Sequence, residues 1–382
     1  MNKFEDFNKL SLNDEDHNTI CLKDIISAQK RINKFIIKTP LIYSNFISEI
    51  IRNNTGNSNV NAYLKLESYQ ETGSFKYRGA LNAFITNQKK YRKNSKDKKK
   101  KIQVIAASTG NHAIGVAKAA KNFNYSTILI IPKFLSLFKQ KKIKEYNVKI
   151  KEYGTTLKEC IKKSKEIVKS DKAKRLKFIH PFNDKEVIAG QGTIGLEILD
   201  DNPDTNVIVG PIGGGGLMAG ITIAVNEKKT GVKLIGSKLK IFDDNINDQT
   251  PETIININKC HTIAEGIFIP KVGSLPKKYL KNYVEIIPVT IDNIQKAIAC
   301  LDSIKFNGEN LNVEGAGAAS LALIFESDFI SYIQKNFSNL DKIEIVFVIT
   351  GKNIDPSLKE EICHKFSFEN KEIIMNKFEY EK

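Results

Sequence analysis

From Ile102 onward the chain alternates short β-branched runs with longer segments of helical period, and that alternation limits the folds open to it. The runs IQVIAAS (102–108), STILIIP (126–132), VKIKEY (148–153), NVIVG (206–210), VKLIG (232–236), VEIIPV (284–289) and KIEIVFVIT (342–350) read as strands. Between them lie helical stretches such as NHAIGVAKAAKNF, FLSLFKQKKIKEY and IDNIQKAIACLDSI. Strands separated by helices imply a parallel sheet covered by helices on both faces, so the fold class is α/β. The pattern falls into two blocks, about 100–176 and about 185–365, with no repeat or Pro/Ser-rich linker between them. Residues 21–88 precede the first block, and pattern alone does not assign them to either.

Composition removes several functional classes. The formal net charge is +16 and the pI about 9.3, which raises nucleic acid or an anionic substrate as a partner. Much of the excess sits in NQKKYRKNSKDKKKK (87–101), a like-charge block of the kind that forms a solvated loop or helix end. Only Tyr91 interrupts it with an aromatic ring, so no nucleic-acid partner is expected. The five cysteines (Cys21, Cys160, Cys260, Cys300, Cys363) are scattered, odd in number and without a C-x-x-C pair. That fits a reducing compartment rather than a disulfide framework or a zinc knuckle. No apolar stretch is long enough to span a bilayer, and the first twenty residues carry acids where a leader carries an apolar core. A soluble, cytoplasmic protein with no membrane partner is expected.

Three local signals carry chemistry. GPIGGGGLMAG (210–220) follows an apolar strand and opens a helix. Gly213, Gly214, Gly215 and Gly216 let successive backbone N–H groups turn toward one anion, assisted by the helix N-terminus. No Gly-Lys-Ser/Thr follows, so this is not a P-loop. Gly214, Gly216 and Ala219 fit the dinucleotide fingerprint, but Ser237 and Lys238 stand where that reading wants an acid. A phosphate-bearing ligand other than a dinucleotide is the expectation.

ASTGNHA (107–113) lies at a second strand-to-helix junction. Ser108, Thr109, Asn111 and the free amides of the helix start form a donor cluster suited to a carboxylate or phenolate, although an ordinary helix cap has the same composition. His112 has no partner at metal-ligand spacing. In ETGSFKYRGA (71–80), Lys76 stands among Phe75, Gly79 and Ala80. Desolvation there lowers an amine's pKa and frees it as nucleophile or base, whereas a lone lysine more commonly snorkels to the surface. A nucleophilic lysine, a phosphate nest and a carboxylate cradle together describe pyridoxal phosphate chemistry on a small amino-acid substrate.

The motifs LKLESYQETGSFKYRGALNAF (64–84), ASTGNHAIGVA (107–117), HPFNDKEVIAGQGTIGLEIL (180–199), GPIGGGGLMAG, VEGAGAASLAL (313–323) and ITGKNID (349–355) resemble those of the threonine dehydratase and serine racemase family. These are fold-type II pyridoxal phosphate-dependent enzymes, and the resemblance runs from about residue 21 to 365 in the family's motif order. It implies two open twisted sheets with helices on both faces, like the tryptophan synthase β fold. A small domain at 98–176 would be inserted in a large cofactor-binding domain at 21–97 and 177–365, flanked by a polar extension (1–20) and a tail (366–382).

The resemblance further implies that Lys76 is the Schiff-base lysine and the base at Cα, with Phe75 packed on the pyridine ring. Asn111 would bond the phenolic oxygen and Gly213–Gly216 the phosphate. Thr350 would face the pyridine nitrogen, and Glu314 would lie near cofactor and substrate. Ser108, Thr109 and the Asn111 and His112 amides would grip the substrate carboxylate. The implied reaction is β-elimination from L-threonine or L-serine, giving 2-oxobutanoate or pyruvate and ammonia. A racemase, or a dehydratase for 3-hydroxyaspartate or a hydroxyectoine-derived substrate, is the alternative. Homo-oligomers, dimers or tetramers, are usual in the family.

Four departures stand out. Thr109 occupies a position where racemases often carry Ser, and Ile114 replaces a common Gln, which implies one lost polar substrate contact. Lys238 replaces a metal-binding Glu, so no divalent metal site is expected. Lys352 replaces a Gly beside Thr350, a change that the sequence does not explain.

Overall fold

Ten strands build the two main sheets of the computed structural model, which describes residues 19–94, 102–133, 135–172, 175–240, 263–368 and 373–374. They are β1 (Leu41–Ser44), β2 (Val60–Lys65), β3 (Gln103–Ala107), β4 (Thr127–Ile131), β5 (Lys149–Glu152), β6 (Leu176–Ile179), β7 (Val207–Pro211), β8 (Lys233–Leu239), β9 (Val284–Val289) and β10 (Ile343–Val348). Six form one sheet in the order β1-β2-β10-β7-β8-β9 and four form another, β5-β4-β3-β6. The smaller sheet is parallel throughout; the larger is parallel except for β1, which runs antiparallel to β2. Residues 21–88, unassigned by pattern, therefore supply two strands to the larger sheet. Cys260, most of the expected terminal segments and the basic tract after Asn94 lie outside the described residues.

Side-chain alternation explains why each sheet is covered twice. On β10, Ile343, Ile345 and Phe347 enter one apolar cluster while Val346 and Val348 enter another on the opposite face. On β3, Val104 and Ala106 join one cluster and Ile105 and Ala107 a second. A strand buried on both faces favours apolar residues at nearly every position, as the sequence shows; the buried Glu344 on β10 is an exception, bonded by Asn61 and Asn202. Phe347 is fully buried, and truncation to Ala removes about 3–5 kcal/mol.

The helices that matter for the site are α1 (Leu22–Ile32), α2 (Asn45–Thr55), α3 (Lys76–Asn94), α4 (Asn111–Phe123), α5 (Leu137–Lys144), α6 (Leu157–Ser170), α7 (Lys185–Asp201) and α8 (Gly216–Lys228). Helices α3, α7 and α8 pack glycine on glycine. A Cβ on Gly190 would sit 2.6 Å from the Gly79 Cα, and one on Gly220 would sit 2.6 Å from the Gly192 nitrogen. Backbones this close leave no room for a side chain, so α7 fixes the starts of α3 and α8 relative to each other. Arg78 reinforces the join. Its fully buried guanidinium lies 2.8 Å from Glu67 and 2.6 Å from Glu197, and Lys65 lies 2.7 Å from Glu197. Removing one partner of such a set costs about 3–5 kcal/mol because the others are left buried and uncompensated.

Candidate active site

Lys76 is the first residue of α3, held in place by a short antiparallel bridge between Ser74 and Gly351 and by the Phe75 N–H donating to the Thr350 carbonyl at 3.1 Å. The motifs 71–80 and 349–355 are thus joined by backbone. The Lys76 amine is enclosed and donates to the Pro181 carbonyl at 2.9 Å. No carboxylate pairs with it among the described residues. Burial alone lowers it from the ordinary lysine value to about 8. The ring of Phe75 lies 5.1 Å from the amine.

The cleft over Lys76 holds about 720 Å³ of atom-free space, counting the part open to solvent. Phe75, Ser108, Thr109, Asn111, His112, Gly213, Gly214, Gly215, Gly216 and Thr350 all line it with Lys76. These residues come from four separate stretches of sequence. Glu314 lies just behind, bonded to Asn111.

Gly213–Gly216 bridge the end of β7 and the start of α8, with Gly215 at φ 87°. Among the described residues their four amides meet no hydrogen-bond acceptor. A Cβ on Gly214 would overlap the Phe182 ring, and one on Gly213 would lie 3.0 Å from the Gly266 carbonyl oxygen. Close packing thus forbids side chains at Gly213 and Gly214, and the unpaired amides are the feature an anion nest requires.

The second junction runs from β3 to α4. Ser108 Oγ accepts from the Gly110 amide at 2.9 Å and the Ala113 amide at 3.0 Å, so its oxygen is a helix cap. The amides of Thr109, Asn111 and His112 are left without an acceptor among the described residues. The free donors at this junction are therefore chiefly backbone amides, with Ser108 shaping the turn that carries them. The Asn111 side chain donates one N–H to Glu314 and accepts from Asn353 at 2.8 Å, which leaves its second N–H for a ligand.

His112 Nε2 lies 3.1 Å from the Ile179 carbonyl, which can only accept, so that nitrogen carries the proton. Its Nδ1 is buried without a partner among the described residues. Burial, then the nearby Lys76 charge, push the ring to about 3, and it stays neutral. The Thr350 hydroxyl donates to the Ala316 carbonyl at 3.0 Å. Ile114 is buried in the apolar cluster beneath α4 rather than on the cleft wall. Its apolar side chain serves that core. Lys352 stands 5.2 Å over the Tyr69 ring, and its amide donates to the Gly73 carbonyl at 2.8 Å.

Sequence reasoning missed Lys139, Glu265, Asn353 and the 180–183 turn. In that turn His180 Nδ1 accepts the Asn183 amide at 3.0 Å, presenting the Pro181 carbonyl to Lys76. Lys139 lines the cleft but sits in FKQKKIK, where lysines crowd every face of the helix. The one available clue was periodicity, since Lys139 lies four residues before Ile143 and shares its buried face.

Comparison with known proteins agrees with this geometry. The family model described as "Pyridoxal-phosphate dependent enzyme" matches residues 32–351. An L-threonine ammonia-lyase of Thermotoga maritima is 34% identical over 347 residues, covering 91% of this chain and 79% of that protein. A catabolic L-threonine dehydratase of Staphylococcus aureus is 33% identical over 337 residues, 88% of this chain and 90% of its own length. The structure of maize serine racemase superposes with a TM-score of 0.73 at 26% identity, covering 91% of this chain and 97% of that one.

Proposed function

The chain belongs to the family of pyridoxal-phosphate dependent enzymes, and we propose that it eliminates water from L-threonine or L-serine to release 2-oxobutanoate or pyruvate and ammonia. The observation that carries this reading is a half-buried lysine, without a carboxylate partner among the described residues, between two sets of unpaired amides in one cleft. The named activities of the Thermotoga and Staphylococcus relatives support the choice of reaction.

When bound, the cofactor supplies an aldehyde that reacts with amines and a ring that withdraws electrons from the substrate Cα. Gly213–Gly216 would hold its phosphate through their amides, Phe75 would lie against its ring, and the spare N–H of Asn111 would serve its phenolic oxygen. Thr350, whose hydroxyl donates to the Ala316 carbonyl, would offer the ring nitrogen a neutral group that adds no charge there. Lys76 would hold the cofactor through its amine and would act as the base at the substrate Cα. An amine near pKa 8 is partly neutral at physiological pH, as a base must be. The Thr109, Asn111 and His112 amides hold the α-carboxylate, and neutral His112 leaves Lys76 the titrating group of the cleft near neutrality.

We further place the enzyme in the cytoplasm as a homodimer or homotetramer. Cys21, Cys160, Cys300 and Cys363 are not joined in disulfides, and no helix among the described residues is long and apolar enough to cross a membrane. The test is Lys76→Ala. The wild-type protein titrated with cofactor gains a visible absorbance band and releases 2-oxo acid from threonine or serine; the variant loses both. Loading of the cofactor-free protein speeds up as pH rises and levels off above about 8, because only the neutral amine attacks. A band that survives in Lys76→Ala, or a pH-independent loading rate, sinks the assignment.

A further inference from the structure

Three charged side chains meet at the edge of the cleft, and two of them, Lys139 and Glu265, have no part in the reading above. Lys139, on α5 beside the smaller sheet, places its ammonium 2.6 Å from Glu265 and 3.4 Å from Glu314. The three side chains are 8%, 12% and 5% exposed respectively. Glu265 adjoins Ala264, and Glu314 adjoins Val313 and lies near Ala316; these three apolar residues belong to a cluster of the larger sheet. The ion pairs therefore join the two sides of the cleft. The Lys139 stem also runs over the carboxylate cradle, because a Cβ on Gly110 would sit 2.5 Å from the Lys139 Cδ.

Charge decides what the cluster does. Two buried carboxylates side by side do not both remain ionised without a cation. Burial raises the Glu314 carboxyl above its ordinary value; Lys139 and the Asn111 N–H oppose that, while Glu265 adds to it. Burial also works against the Lys139 charge, but Glu314 and Glu265 outweigh it and hold Lys139 above an ordinary lysine. Lys142, also on α5, feels Glu314 too, but its amine is bonded to Asn353 at 2.7 Å. Ionised Glu314 is acceptor-only, so it fixes which end of the Asn111 amide faces it. A protonated Glu314 has an O–H that donates to the Asn111 oxygen end as readily as its other oxygen accepts from the nitrogen end. Asn353, which donates to that Asn111 oxygen, completes the orientation.

We propose that Lys139 is a positioning residue of the active site: it keeps Glu314 ionised, and ionised Glu314 holds the Asn111 amide with one N–H turned to the cofactor. This rests on the reading of Asn111 as a cofactor contact, and the ionisation half of it is testable without cofactor. The variants are Lys139→Met, Lys139→Arg and the double variant Lys139→Met with Glu314→Gln. In the cofactor-free protein the thermal midpoint is measured at pH 5.5 and pH 8. A carboxyl whose folded pKa is raised favours the fold where it is protonated, and that advantage is lost as pH climbs through the folded pKa. Lys139→Met therefore loses about 2 °C or more in midpoint at pH 8 beyond its loss at pH 5.5. The double variant abolishes that pH difference, and Lys139→Arg behaves as wild type.

In the loaded protein, Lys139→Met gains a pH-dependent shift of the visible band between pH 5 and 8 that wild type and Lys139→Arg lack. An equal midpoint loss at both pH values, unchanged by Glu314→Gln, would show Lys139 to be a staple across the cleft and overturn the proposal. So would a pH-dependent midpoint with a band indistinguishable from wild type, since Asn111 would then be indifferent to Glu314. If wild type itself takes up no cofactor, the family assignment of the site fails separately, and the cofactor-free midpoints still decide the charge state of Glu314.

Discussion

Two strand-to-helix junctions face each other across Lys76, and they solve the same problem with opposite residue choices. Both lie at the C-terminal end of a parallel strand, where a loop turns its amides toward the cleft before a helix begins. The junction on the larger sheet has no side chains at all, being Gly213–Gly216. The one on the smaller sheet is Ser108–Thr109–Gly110–Asn111–His112, with four side chains and one glycine at φ 141°. A phosphate is the same in every catalytic cycle, so bare backbone suffices to hold it. A substrate must be told from similar molecules, and that needs side chains that shape the amides, as Ser108 does, or stand beside them, as Thr109 and Asn111 do. On the function proposed above, the difference would give retention of the cofactor to one junction and recognition of the substrate to the other.

The strongest test of that division is Gly214→Ala. The added Cβ overlaps the Phe182 ring, so either the ring or the nest must move. Affinity for the cofactor drops by about 100-fold, the equivalent of about 2.8 kcal/mol, as read from titration of the visible band. Substrate KM, measured at saturating cofactor, changes little. An intermediate effect of the opposite kind comes from Ser108→Ala, which uncaps α4 at the Gly110 and Ala113 amides. The cap is worth about 1 kcal/mol of stability, and the freed amides draw the cradle out of shape. KM for threonine rises about tenfold, on the scale of one hydrogen bond to a charged group, with cofactor affinity held within twofold. If either variant moves both constants together, the junctions do not have separate roles.

What the sequence made legible follows from the same contrast. Buried strands were visible because both faces of each sheet are apolar; β7, β8 and β10 needed no further information. β1, β2 and β6 were missed as strands. Tyr63 and Lys65 on β2, and Lys177 on β6, break the apolar run that marks a doubly buried strand. Lys65 is fully buried only because Glu197 compensates it, a long-range fact with no local sign. The glycine junction was legible because four consecutive glycines are hard to explain otherwise. The cap at Ser108 was read correctly as one of two possibilities, and the structure shows both together, a capping hydroxyl with free amides around it. Lys139 and Glu265 were illegible for another reason. Their meaning depends on each other and on Glu314, which are far apart in sequence and come together only when the two sheets do.

The smallest expected effect belongs to Thr109, and it bears on how far recognition extends beyond the carboxylate. Its hydroxyl lines the cleft and makes no hydrogen bond among the described residues. If the cradle is chiefly backbone, Thr109→Ala leaves the amides in place and changes kcat/KM for elimination by about twofold, within the loss of one weak contact. The hydroxyl has a second possible role, since a racemase needs a proton donor on the face of Cα opposite its lysine. Any D-serine that the wild type forms from L-serine then disappears in Thr109→Ala while pyruvate release continues. Persistence of the D-isomer in the variant would remove Thr109 as that donor. A collapse of pyruvate release would instead show that the threonine side chain, and not the backbone beside it, holds the substrate, and the contrast between the two junctions would have to be redrawn around side-chain contacts.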